Sequence, residues 1–320
     1  MRFLSLRRGV INVIIGWDGL GISSLLLIIF YPNKITFFNS LLTFFFNRLG
    51  DLIFITFFCF FIIDYRTFFF FSGVGNFYVI FLFFLCLLTK RAQFPFSSWL
   101  PAAMSAPTPI SAIVHSSTLV TAGILLFFKF YNFFFNSRIF FFLIIFSLVT
   151  FILGGFLGTI ELDLKKIVAF STIRQIRMIL FFLVTRISLA FFHTFGHALF
   201  KTLLFCSCGI LFLWNFRDQL SKNLVRKNFH LSVFFFFLVS IYAIRGLIFS
   251  SSFYTKDLIL EFFLEEKYII YFFFLIVGRI ITVFYRSKIF CSIIYKPIFK
   301  FSFRFKLSHF PFIFLFSTLT

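Results

Sequence analysis

Apolar stretches long enough to cross a bilayer, about 20 residues each, recur from one end of this chain to the other. Their repetition decides what it can fold into. They lie near 10–31, 37–63, 68–104, 109–131, 138–160, 165–185, 187–214, 231–265 and 268–295. A transmembrane β-barrel would instead alternate apolar and polar residues over strands of about 10 residues. Runs such as FFFFSGVGNFYVIFLFFLCLL do not alternate. The pattern predicts an all-α polytopic membrane bundle of about nine spans, with no soluble domain between them. The basic start, MRFLSLRR, leads into a full-length span, so no cleavable signal peptide is expected.

Charge supports the same reading. Only 12% of the residues are charged, against about 25% in a soluble domain. The net charge of +20 comes from 30 Lys and Arg against 10 Asp and Glu. Nucleic acid could attract such a chain, but most of these basic residues flank apolar segments. That is the pattern of positive-inside anchoring and of contact with anionic lipid such as cardiolipin. Arg286, Lys288, Lys296, Lys300, Arg304 and Lys306 form a C-terminal basic stretch without an acidic residue. The 5 cysteines include no C-x-x-C pair. They read as small buried hydrophobes, with no disulfide or metal site.

A charge in the hydrocarbon core costs from about 3 kcal/mol upward, so each ionisable residue inside a span is a candidate for function. These are Asp18 in GWDGLG, Arg48 and Asp51 in FNRLGDL, Lys90 in LLTKRAQF and His115 in SAIVHSST. Further along come Asp163, Lys165 and Lys166 in ELDLKKIVAFST, His193, His197 and Lys201 in FFHTFGHALFKTLLF, and Lys256 with Asp257 in SSFYTKDLILE. Helix breakers stand next to some of them. Pro95, Pro101, Pro107 and Pro109 follow Lys90, and Gly246 with the run Ser250, Ser251, Ser252 precedes Lys256. Proline removes a helical hydrogen bond and clashes with the preceding turn. Interrupted helices at membrane depth line protein cavities or water, and in transporters a pair of them marks the ion path.

His193, His197 and Lys201 are spaced i, i+4, i+8, one helix face roughly 12 Å long. Histidine exchanges protons near neutral pH and desolvation loosens a lysine's hold on its proton, so this stripe suits a proton wire. The structural alternative has the histidines satisfying backbone carbonyls and the lysine snorkelling to an interface. Lys165 and Lys166 read equally as a helix start at the membrane surface. Arg48 and Asp51, at i, i+3, read equally as an ion pair that supports the packing of two helices. A metal site is a poor reading, because no third ligand has suitable spacing.

Taken in order, GWDGLGISSLLL, FNRLGDL, FPFSSWLPAAMSAPTPISAIVHSSTLVTAG, DLKKIVAFST, HTFGHALFKTLLF and FYTKD carry a resemblance. They resemble the antiporter-like subunits of proton-pumping NADH:ubiquinone oxidoreductase (respiratory complex I), in the mitochondrially encoded chain 5 branch. The family also holds complex I chains 2 and 4 and the large subunits of multisubunit cation/proton antiporters. The resemblance covers 16–261 and implies inverted repeats, each with one broken, lysine-bearing helix. Residues 1–135 would form an incomplete first repeat (family helices 5–8), 136–295 the second (family helices 9–13) and 296–320 a basic tail. It implies that Asp18, where the family has glutamate, pairs with Lys90. His115, Lys165, His193, His197 and Lys201 would form a central axis, and Lys256, stabilised by Asp257, would end it. That lysine favours the chain 5 branch over chain 4, where a glutamate is typical.

The departures from the family pattern carry their own expectations. The proline usual before FYTKD is absent, so Gly246 and the serines must open that helix. Arg174 and Arg177 stand where the family is small or polar, and are expected to meet lipid or a partner. Family helices 1–4, the last helices and the long lateral helix are expected on another polypeptide or lost. With no G-x-G-x-x-G and no cysteine cluster, no cofactor is expected here. NADH, FMN, iron–sulfur clusters and ubiquinone would belong to other subunits. The resemblance implies a proton-translocating subunit of the mitochondrial inner membrane, next to chain 4. The competing readings are a Na⁺/H⁺ antiporter subunit and a scaffold without transport.

Overall fold

The computed structural model describes residues 10–68, 77–130, 139–185, 187–214, 219–220, 231–247, 249–265 and 269–294. The basic tail predicted at 296–320 lies outside them. Each apolar segment read from the sequence contains a helix. These are α1 (Val10–Ile28), α2 (Lys34–Phe68), α3 (Phe77–Lys90), α4 (Trp99–Ala103), α5 (Thr108–Lys129) and α6 (Ile139–Ile160). After them come α7 (Leu164–Thr185), α8 (Ile187–Trp214), α9 (Leu231–Arg245), α10 (Ser251–Glu265) and α11 (Ile269–Ile294). Among the described residues there is no strand; an isolated bridge joins Asp163 and Leu220.

The helices sort by what their surfaces can face. α1, α2, α5 and α8 are long and apolar enough to cross a membrane. On α1, Ile11, Ile15, Ile22 and Leu26 form an exposed apolar stripe, the surface a lipid or a neighbouring helix covers. α7 is different. It is about 33 Å long but carries Lys165, Lys166, Arg174 and Arg177. Such a helix is stable at membrane depth only when protein surrounds it. Its residues from Ile167 to Leu180 are all buried, chiefly against α6 and α8.

Arg174 and Arg177, each 1% exposed, therefore do not meet lipid or a partner as expected; they point into the bundle. Arg174 lies over the Phe151 ring of α6, 4.2 Å from its centroid. Room for it comes from Gly155, where a methyl group would stand 3.0 Å from Arg174 Nη1. Arg177 donates from Nη2 to the Ala92 carbonyl at 3.1 Å.

That carbonyl belongs to the first helix break. α3 ends at Lys90, and Ala92 has φ of 51°. Gln93 N–H donates to Leu88 O at 3.1 Å and Ala92 N–H to Thr89 O at 3.3 Å. The paired bonds make a Schellman cap, with alanine in the left-handed position that glycine usually takes. The prolines act downstream. Pro101 sits in the first turn of α4, Pro107 is the N-cap of α5 and Pro109 is in its first turn, where a missing N–H costs little. Pro95 follows the cap. Pro101, Pro107 and Pro109 accompany the starts of new helices, and Ala92 is what stops α3.

The second break separates α9 from α10. Gly246 has φ of +71° and Phe249 has φ of 68°. Ser252 Oγ donates to the Ala243 carbonyl, and Ser250 Oγ to Leu247 O at 2.7 Å. A glycine and two serine hydroxyls thus open this helix without the proline. Around the first break Thr89 to Gln93 are all buried, whereas Leu247 and Phe249 at the second are 41% and 86% exposed.

Candidate functional site

Asp51, Lys90, His115, Lys165, His193, His197, Lys201 and Lys256 are buried in the bundle, each held in a distinct way. At one end, α1, α2 and α3 bring together an alternating series of charges. Asp18 pairs with Arg48. Arg48 Nη1 is 3.7 Å from Asp51 Oδ2, and Lys90 Nζ is 3.0 Å from Asp51 Oδ1. The series runs inward: the Asp18 and Arg48 side chains are 38% and 35% exposed, Asp51 and Lys90 only 7% and 2%. Lys90 also lies 5.1 Å from the centroid of Trp17, a cation–π contact. The expected Asp18–Lys90 pair is thus replaced. Trp17, 1% exposed, takes the inward-facing position on α1 beside Lys90, while Asp18, one residue on, points about 100° away to Arg48.

Beyond Lys90 stands Trp99, whose indole N–H donates to Thr89 O at 2.9 Å. Its ring centroid is 6.5 Å from that of His115. His115 sits in a π-helical turn, Ser111–Thr118, and its ring nitrogens find no hydrogen-bond partner among the described residues. Such turns recur at functional sites because they re-aim a side chain within a helix. His115 is within electrostatic reach of Lys165, whose ammonium donates to the Ala106 carbonyl. Lys166 faces away to Asp163, at 3.0 Å. Lys165 therefore belongs to the interior, and Lys166 to a half-exposed surface pair.

On α8, His193, His197 and Lys201 are all buried on one face, as their spacing requires. Lys201 Nζ bonds Val168 O at 3.1 Å and the Ser171 hydroxyl, both on α7. His193 Nδ1 is 2.9 Å from Thr255 Oγ1, and its Nε2 is 3.3 Å from Gln175 Oε1. A cavity of about 10 Å³, near the smallest that holds a water, is lined by Gln175, His193, His197, Ser251 and Ser252. It joins the α8 stripe to the second break. There Lys256 Nζ donates to Ile244 O at 2.8 Å and Arg245 O at 3.1 Å, capping the C-terminus of α9. The ammonium meets the negative end of a helix dipole. Asp257 does not take the expected place beside Lys256. It points away on α10 and pairs with Arg279 of α11, Oδ1 to Nη1 at 3.5 Å.

The transmembrane family of NADH:quinone oxidoreductase and Mrp antiporter subunits matches residues 8–282. The chain belongs to this family. NADH-ubiquinone oxidoreductase chain 5 of Caenorhabditis elegans is 39% identical over 272 residues, covering 84% of this chain and 51% of that relative. Chain 5 of Locusta migratoria is 38% identical over 270 residues, covering 82% and 47%. The chain thus spans about half the length of these curated relatives. The fold is shared with a chain of the membrane-bound sulfane sulfur reductase, an archaeal respiratory membrane complex. The TM-score is 0.83 at 17% identity, over 97% of this chain and 67% of that one. A chain of the Mrp complex from Dietzia gives a TM-score of 0.70 at 22% identity, over 90% and 33%.

For a member of the NADH:quinone oxidoreductase/Mrp antiporter family, the interior holds groups that sequence reasoning passed over. Gln175, Thr255 and Ser171 are partners of His193 and Lys201. None carries a charge, so the cost of burying them leaves no mark in an apolar run. Arg91, 2% exposed, bonds Gly123 O at 2.6 Å beside the first break. Its charge next to Lys90 was a signal that could have found it.

Proposed function

We propose that this chain moves protons across the mitochondrial inner membrane as a membrane-arm subunit of a complex I-type NADH:ubiquinone oxidoreductase. The observation that supports the reading is the burial of Lys90, Lys201 and Lys256, at 1%, 0% and 7% exposure, in a bundle that also buries His115, Lys165, His193 and His197. A scaffold has no need of buried cations that cost several kcal/mol each, by order of magnitude. The relatives are named as oxidoreductase subunits, which favours redox-coupled translocation over an independent Na⁺/H⁺ antiporter.

In this reading the series Asp18–Arg48–Asp51–Lys90 is the switch. While Asp51 faces Lys90 it favours the charged ammonium. A displacement that draws Asp51 towards Arg48 weakens that hold, and Lys90 releases its proton towards His115 and Lys165. The Trp99 ring stands beside this route, 6.5 Å from that of His115, and the transfer calls for water around the indole. Lys201, His197 and His193 carry the proton on to Lys256, whose deprotonated form keeps its hydrogen bonds to Ile244 O and Arg245 O. Redox chemistry, with NADH, FMN, iron–sulfur clusters and ubiquinone, belongs to other subunits. Chain 4 and anionic lipid are the partners this assignment calls for.

The experiment is proton pumping coupled to NADH oxidation in the complex containing Lys90→Ala or Lys256→Ala. Both variants are expected to lose most of it. Full pumping in both rejects the reading, and Na⁺/H⁺ exchange by the chain alone in liposomes replaces it with the antiporter.

A further inference from the structure

α7 grips the first helix break at both ends. Near its start Lys165 donates to Ala106 O, and three turns on, roughly 18 Å away, Arg177 donates to Ala92 O at 3.1 Å. The segment from Ala92 to Ala106, which holds the cap, α4 and Trp99, is thereby spanned by one buried helix. The two contacts differ in what they hold. Ala106 follows α4, whereas Ala92 is the left-handed residue of the cap itself, with φ of 51° and no glycine to make that conformation easy. Its neighbours are tied as well: Thr89 O accepts from Trp99 Nε1 at 2.9 Å, and Arg91 Nη2 reaches Gly123 O at 2.6 Å.

Arg177 is a costly residue to bury for packing alone. Its side chain packs against α6 at Gly154, where a methyl group would make an ordinary contact, 3.7 Å from its Nη1. A guanidinium on the carbonyl of a left-handed cap residue stabilises the C-terminal end of α3, where carbonyl charge accumulates. It also fixes how far α3 extends, and so the position of Lys90, two residues before Ala92.

We propose that Arg177 is a positioning residue: it latches the first helix break to α7 and holds Lys90 opposite Asp51. Because α7 also supplies Lys165 and the partners of Lys201, the latch makes the break and the central axis move as one body. This inference rests on the proton-translocation reading for its functional consequence, but not for its structural one.

Two measurements on the assembled complex separate them. Hydrogen exchange at the Ala92 and Gln93 amides reads the latch directly. In Arg177→Met it is expected to rise at least about tenfold, while protons pumped per NADH fall by half or more. NADH oxidation by a soluble acceptor, which reports the other subunits, is expected to stay unchanged. Adding Ala92→Gly, which removes the left-handed strain, is expected to restore both exchange protection and pumping. Arg177→Lys, which keeps a donor and a charge, is expected to fall between. Unchanged exchange in Arg177→Met overturns the latch, as does a pumping defect that Ala92→Gly leaves untouched. Should Arg177→Met not assemble, Ala92→Gly restoring assembly supports the latch, and failure to restore it overturns it. Normal pumping in both Lys90→Ala and Lys256→Ala would reject the proton reading while leaving the exchange result to decide the latch.

Discussion

Lys90 Nζ lies 3.0 Å from Asp51 Oδ1, and Asp18 pairs with Arg48 instead. The two carboxylates are therefore not equivalent. Removing one partner of a buried ion pair leaves the other charge uncompensated, a cost of about 3–5 kcal/mol. The half-exposed Asp18–Arg48 pair lies nearer the surface-pair limit. Asp51→Asn is expected to abolish proton pumping or prevent stable assembly. Asp18→Asn is expected to lower pumping only several-fold, through loss of control over Arg48. Pumping rates of the two variants in native membranes check this, and equal losses would restore Asp18 as the direct partner of Lys90.

At the second break, adjacent residues do separate jobs. Lys256 caps α9 while Asp257 holds Arg279, whose Nη2 also donates to Lys256 O at 2.6 Å. Asp257→Asn and Arg279→Met should each reduce pumping moderately, and the double variant no more than the worse single one, because they break one pair. Lys256→Met should be far more severe. A double-mutant cycle on the pumping rate measures the coupling. Strict additivity of Asp257 and Arg279 would show that their contact carries nothing.

Gly246 is required twice over. Its φ of +71° disfavours any other residue, and a methyl group there would stand 3.0 Å from Lys256 Nζ and 3.1 Å from Ser252 O. Left-handed strain costs about 1–2 kcal/mol, and the methyl displaces the ammonium from the α9 carbonyls. Gly246→Ala is expected to lower thermal stability by a few degrees and to cut pumping about tenfold or more. Thermal unfolding of the complex beside its pumping rate reads both. A variant with normal pumping would show that Lys256 does not need this cap.

What could be read in advance follows from where the physics is local. Long apolar runs fix helices, and a charge in such a run is conspicuous because its burial is costly. Lys90, His193, His197, Lys201 and Lys256 could therefore be picked out by inspection. The Arg48–Asp51 contact could be read from its i, i+3 spacing, but which charges meet across helices could not. Trp17 and Asp18 are neighbours in sequence but face different directions, and only the packing of α1 on α2, with Lys90 of α3 over the Trp17 ring, decides that Trp17 takes the inner position. Arg174 and Arg177 stand where the family is small or polar, and that departure alone points to lipid or a partner. The helix that carries them is wrapped by α6 and α8, a long-range outcome that no local pattern encodes. The first break was marked by prolines, yet Ala92 makes it, because the hydrogen bonds of its cap and Arg177 hold an alanine where a glycine would signal itself.

The partners of His193 give a final prediction. Thr255 Oγ1 lies 3.2 Å from Ser252 O, a carbonyl that can only accept, as well as 2.9 Å from His193 Nδ1. A hydroxyl that donates to the carbonyl must accept from Nδ1–H; one that turns away from it can donate to Nδ1 instead. On the other ring nitrogen, the Gln175 amide offers an oxygen in one orientation and an NH₂ in the other. Both neighbours can therefore serve either neutral tautomer and the protonated ring, which lets His193 take up a proton on one nitrogen and release it from the other. Thr255→Val keeps the shape and removes the hydroxyl, leaving a buried nitrogen unsatisfied at a cost of about 1–3 kcal/mol. Pumping should fall roughly 5- to 150-fold, while Thr255→Ser, which keeps the hydroxyl, should retain most of it. Gln175→Leu should resemble Thr255→Val, and Gln175→Glu should slow transfer by holding the charged imidazolium. If Thr255→Val pumps like Thr255→Ser, the hydroxyl has no part in proton movement and His193 is a packing residue.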